Sequence, residues 1–118
     1  MALVNAYAVR TAGGAGRANN AAATYTVPVG RIFLCTEFYL SSQDATGAMA
    51  FLTTGAGGGV PANDVAAIHC ILALNPVQQF VFGTPIEFAA GTVVTVDDDP
   101  TTGGANTSRF VGFRGYTK

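Results

Sequence analysis

The sequence predicts an all-β chain: an antiparallel β-sandwich of about eight strands, of jelly-roll type, behind an N-terminal arm. Three observations carry this. Fifteen Gly and five Pro punctuate the whole chain, and between them lie short runs rich in Val, Ile, Phe, Tyr and Thr, the pattern of many short strands joined by tight connections. No window holds an apolar stripe at helical period over eleven or more residues. The length, 118 residues, is that of one domain and is enough to bury a core without disulfides or metals.

Taken in order, residues 3–9 read as a short strand. Residues 11–23, TAGGAGRANNAAA, have little to bury and much chain entropy to lose. Residues 1–24 are therefore expected to form an arm that orders against a neighbouring subunit or trails as a flexible tail, with the sandwich occupying 25–118. Strands are expected at 24–29, 31–40, 48–53, 67–74, 78–82, 86–88, 92–97 and 108–116. Turns or loops fall at SSQDATG, GAGGGVPAND, Asn75-Pro76, Gly83-Thr84-Pro85, Ala90-Gly91 and DDDPTTGGANT. An immunoglobulin-like sandwich is the nearest rival, but the chain has no Trp to mark it.

Charge sets the functional expectation. Asp, Glu, Lys and Arg make up 11% of the chain, against roughly 25% in an ordinary soluble domain. A monomer usually stays soluble through interspersed surface charge, so this surface is expected to be neutral polar in part and covered by partners in part. Six Lys and Arg at a net charge of −1 make no basic stripe, so nucleic acid is not an expected partner. No run approaches the roughly 18 apolar residues of a membrane span, and the start MALVNAYAVR lacks the basic and apolar regions of a secretory leader.

Strict alternation along 31–40 places Ile32, Leu34, Thr36, Phe38 and Leu40 on a core face. It sends Arg31, Phe33, Cys35, Glu37 and Tyr39 outward. The last strand carries large apolar groups on both faces: Arg109, Val111, Phe113, Gly115 on one, Phe110, Gly112, Arg114, Tyr116 on the other. Phe33, Tyr39, Phe113 and Tyr116 are accordingly the expected interface anchors, since aromatics dominate such contacts. Cover by loops or by the arm within one subunit is the competing account of these faces.

The residues offer little chemistry. His69 is the one histidine and sits mid-strand, with no nucleophile elbow to serve. Its neighbour Cys70 points to the opposite face, so the two do not share a metal. Cys35 and Cys70 read as buried thiols, with a single bridge as the alternative. The glycine runs at 13–17 and 55–60 match no phosphate-binding pattern and lead into no helix. Asp97, Asp98 and Asp99 read as a solvated loop, with calcium the ligand to test. No enzyme activity, catalytic residue, cofactor or metal is expected.

Three segments resemble a known family: V-P-V-G-R-I-F-L at 27–34, T-P-I-E-F-A-A-G-T-V-V-T-V at 84–96, and R-F-V-G-F-R-G-Y at 109–116. The pattern, over residues 25–116, looks like the small jelly-roll decoration (cement) and head-fibre proteins of tailed bacteriophages. The resemblance implies a structural virion subunit on the capsid surface, assembled in the host cytoplasm. It further implies a homo-oligomer, with a trimer favoured, and the major capsid protein as partner. A receptor- or carbohydrate-binding module of a phage tail or fibre is the alternative, with loops 54–66 and 97–107 forming its site.

Overall fold

The computed structural model describes residues 1–10, 22–42, 48–55, 69–73, 77–98 and 109–118. All regular structure among them is β: β1 (Ala2–Arg10), β2 (Ala22–Thr26), β3 (Phe33–Ser42), β4 (Ala48–Thr54), β5 (His69–Ala73), β6 (Val77–Phe88), β7 (Val93–Asp98) and β8 (Arg109–Thr117). They form two four-stranded antiparallel sheets packed as a β-sandwich. Sheet A runs β1-β8-β3-β6 and sheet B runs β2-β7-β4-β5. The pairings β1 with β8, β2 with β7, β3 with β6 and β4 with β5 are nested. Two further pairings, β3 with β8 and β4 with β7, knit each sheet together.

Two tight turns at one end tie the layers. The Arg31 amide donates to the Pro28 carbonyl at 3.1 Å, and the Thr92 amide to the Ala89 carbonyl at 3.2 Å. Each turn has a left-handed glycine at its third position, Gly30 at φ 76° and Gly91 at φ 82°. Only glycine enters that region without strain. The turns are bonded to each other as well: Val27 donates to Thr92, and Gly91 donates back to Val27, both at 2.9 Å.

The core is built from the inner faces. Sheet A supplies Phe33, Cys35, Phe38, Leu40, Phe88, Val111 and Phe113; sheet B supplies Ala23, Ala50, Leu52, Val94 and Val96; Val27 joins them from beyond β2. Phe33 is the hub, its ring 5.2 Å from Tyr25, 6.1 Å from Phe88 and 5.8 Å from Phe113. Gly115 makes room for this packing. A Cβ there would stand 2.0 Å from the Leu34 carbonyl oxygen and 2.6 Å from the Phe33 ring.

Strict alternation along β3 fails at one place. The pairing with β8 passes from Cys35↔Gly115 directly to Glu37↔Arg114, leaving Thr36 as an extra residue. A bulge reverses the inside–outside parity of everything beyond it. Phe33 and Cys35 therefore face inward with Phe38 and Leu40, and all four are fully buried. This corrects the expectation that Phe33 lies on the outer face. Phe113 is likewise fully buried, because β8 is an interior strand whose odd-numbered side chains face sheet B.

Gly83-Thr84-Pro85 does not reverse the chain. β6 pairs with β3 on both sides of it, from Ser41↔Val77 to Glu37↔Val81 and from Cys35↔Ile86 to Phe33↔Phe88. The two short strands expected there are one strand with a break in its pairing. The sheets also do not begin at residue 25. Residues 2–10 pair along the full length of β8, and residues 22–24 open β2, while the stretch 11–21 expected as the body of the arm lies outside the described residues.

Cys35 is a free, buried thiol, and its Sγ donates to the Glu37 carbonyl at 3.6 Å. Burial pushes it up to about 12 from an ordinary 9.0, and the nearby Glu37 carboxylate adds to the rise. The fold favours the neutral thiol, so this contribution is whole below pH 9 and is lost as pH climbs toward 12. Urea unfolding should show wild-type stability falling more steeply over that range than the stability of Cys35→Ala. Gly115→Ala should cost about 3 kcal/mol by the same assay, because the added methyl meets backbone that cannot step aside.

Candidate interaction surface

The outer face of sheet A is assembled by register. One row across β1, β8, β3 and β6 reads Tyr7, Gly112, Tyr39, Gln79; the next reads Asn5, Arg114, Glu37, Val81; a third reads Leu3, Tyr116, Leu34, Glu87. Phe110 lies opposite Ser41 on the same face. The bulge at Thr36 brings Glu37 and Tyr39 into these rows. The Thr36 hydroxyl donates to the Arg114 carbonyl at 3.1 Å, fastening the bulge to β8.

Tyr39 is the organising side chain. It lies over Gly112, where an added Cβ would stand 2.4 Å from its hydroxyl and 2.5 Å from the Ala6 carbonyl oxygen. An aromatic ring over a cross-strand glycine shields backbone that would otherwise be bare. Phe110 stacks between Tyr39 and Tyr7, with centroids 5.6 Å away on either side. The Tyr39 hydroxyl donates to Asn5 Oδ1 at 3.3 Å, joining β3 to β1 across β8.

At the centre of this face charge is gathered and internally matched. Arg114 sits with its guanidinium carbon 5.4 Å from the Tyr39 ring centroid, and its Nη1 donates to Glu37 Oε1 at 3.1 Å. Gln79 donates to the other Glu37 oxygen. Burial raises the Tyr39 hydroxyl above its ordinary value; Arg114 opposes that rise, and Glu37 and Tyr7 add to it. A shallow depression of about 290 Å³ lies among Tyr39, Ser41, Gln79, Phe110 and Arg114.

Around this matched centre lies exposed apolar surface. Leu3 is 87% exposed, Tyr7 62% and Val81 62%. The outer side of sheet B differs, for Phe51, Thr53, Thr95 and Asp97 on it are buried. The Thr95 hydroxyl donates to the carbonyl of Gly55, just past β4.

Of the four expected anchors, the structure brings Tyr39 and Tyr116 to one outer face and takes Phe33 and Phe113 into the core. Tyr39 is itself largely covered, and Tyr116 is half-buried between Leu3 and Leu34. Leu3, Tyr7, Phe110, Arg114 and Val81 were not among the expected anchors. Exposed odd positions alternate with half-buried even ones along residues 3–8; the polar Asn5, of the same parity as Leu3 and Tyr7, was the available signal. Asp97 and Asp98 extend β7 instead of lying in a loop, and Asp97 is buried; Asp99 falls outside the described residues. Among the described residues no three His, Cys, Asp or Glu side chains gather in a metal-binding group, and the side chains of His69 and Cys70 are not described.

No protein-family model and no curated protein matches this chain.

A double-mutant cycle on Tyr39→Ala and Arg114→Ala should return a coupling of about 0.5–1 kcal/mol in chemical denaturation, the value of an exposed cation–π contact. The ion pair with Glu37 should add little, since Arg114 is 55% exposed and such pairs are screened.

Proposed function

We propose that this chain is a structural virion subunit, a capsid decoration (cement) protein that stabilises a phage head by bridging shell subunits. The observation that carries the reading is a sheet face on which Arg114, Gln79 and Glu37 are spent on one another and Glu87 sits near one end, while Leu3, Tyr7 and Val81 stand in solvent. In a chain that is only 11% charged, such a face favours cover by protein. The mechanism is burial of area: each copy need bury only on the order of 1,600 Å² with its neighbours for firm, chemistry-free attachment.

The sandwich is proposed to be of jelly-roll type. Strand orders 1-8-3-6 and 2-7-4-5 support this, because they arise when one long hairpin with nested pairs is rolled into two sheets. The resemblance at 27–34, 84–96 and 109–116 points the same way. The two glycine turns that those segments contain are bonded to one another, which gives the shared residues a structural reason. Self-association, with three copies as the resemblance implies, and the major capsid protein as partner belong to this reading, and the site of action is the capsid surface. Stacking of Tyr7, Phe110 and Tyr39 on each other takes up ring faces that a sugar would use, which counts against a carbohydrate platform here.

Light scattering coupled to size exclusion should give more than one copy at micromolar concentration. Co-sedimentation with capsid shells assembled from the major capsid protein of the same virus should retain it. A strict monomer that no shell retains would sink the proposal.

A further inference from the structure

β1 is the outermost strand of sheet A, and among the described residues it pairs on one side alone, with β8. On its other side no described strand pairs with its backbone amides and carbonyls. The remaining sheet edges carry the usual protection against strand addition. β6 contains Pro85, a break in pairing and the exposed Glu87. β2 and β5 are five residues each. β1 has little of this: it is nine residues long, its register with β8 is unbroken, it holds no proline, and its one charge, Arg10, stands at its end.

We infer that β1 pairs antiparallel with β1 of a second copy, about a two-fold axis at Asn5, joining the two A sheets into one of eight strands. The sequence of β1 favours this occupant over an unrelated strand. With the axis at Asn5, Leu3 of each copy lies opposite Tyr7 of the other, and Val4 lies opposite Ala6, so every residue keeps its face. The two exposed large apolar side chains of the strand, Leu3 and Tyr7, thus cover each other twice as aliphatic–aromatic cross-strand pairs. No like charges are opposed, because residues 2–9 carry none. A two-fold contact uses one patch on both partners. It yields two copies alone, or six if three-fold contacts also form. The inference rests on the reading of this chain as an assembly subunit and names the contact.

The test uses the full chain in sedimentation velocity, with hydrogen exchange followed on β1. Wild type should form even-numbered assemblies, with outward β1 amides exchanging more slowly as concentration rises. The variant Leu3→Lys/Tyr7→Lys sets two pairs of like charges across the axis and should weaken association about tenfold or more. Leu3→Lys/Tyr7→Glu sets opposite charges there and should recover to within about threefold of wild type. The altered side chains are solvent-exposed, and circular dichroism melting verifies that both variants fold; if either does not, exchange on wild type decides. Equal weakening of the two variants overturns the inference. So does a trimer whose β1 amides exchange at a concentration-independent rate, or a monomer whose β1 is protected on shells alone; both leave the decoration reading standing. A monomer that no shell retains removes both.

Discussion

One unpaired residue, Thr36, sets the faces of β3 and through them the character of the molecule. Without the bulge, Phe33 and Cys35 would point away from the side chains of Phe38 and Leu40, and no single core could hold all four. With it, Phe33 becomes the hub of the interior rings, and Glu37 and Tyr39 arrive on the outer face beside Arg114. The cost is one interrupted rung in the ladder. The Thr36 hydroxyl offsets part of it by bonding to β8.

The same local irregularity explains the uneven surface. β8 is covered on both sides by β1 and β3, so its outer residues must meet their neighbours closely. Gly112 and Gly115 permit that approach on opposite faces, one beneath Tyr39 and the other beneath Phe33. The centre of the outer face is thereby closed by its own aromatic stack and ion pair. The apolar remainder is displaced to the strands at either side, β1 and β6, where Leu3, Tyr7 and Val81 are exposed.

Much of the fold was legible. Alternation, glycine and proline marked seven of the eight strands close to their positions, and the two-sheet class followed from their number. The bulge was not legible, because Cys35-Thr36-Glu37 carries no glycine or other local mark of an inserted residue. That single omission moved Phe33 to the wrong side. Phe113 was misplaced for a different reason: an interior strand with glycines on both faces lets aromatics appear on both, and sequence does not say which set meets the second sheet. Gly83-Thr84-Pro85 had the composition of a turn, yet pairing with β3 resumes beyond it, so a non-local partner overrode local propensity. Tyr39 was placed on the outer face correctly, since it alternates with Phe38 and Leu40 beyond the bulge; for Tyr116 the sequence left the face open.

The position of β8 also has a consequence in time. It follows the other described strands along the chain and yet stands between β1 and β3, the first and second strands of sheet A. During synthesis β1 has no partner in that sheet until β8 has emerged, and closure then joins Ala2 to Thr117 across the intervening strands. Such long-range pairing is slow, because a long stretch of chain must be looped before the contact forms. Loss of β8 would uncover both of its neighbours at once, so a product that stops short of it cannot hide their edges, whereas one that includes it can.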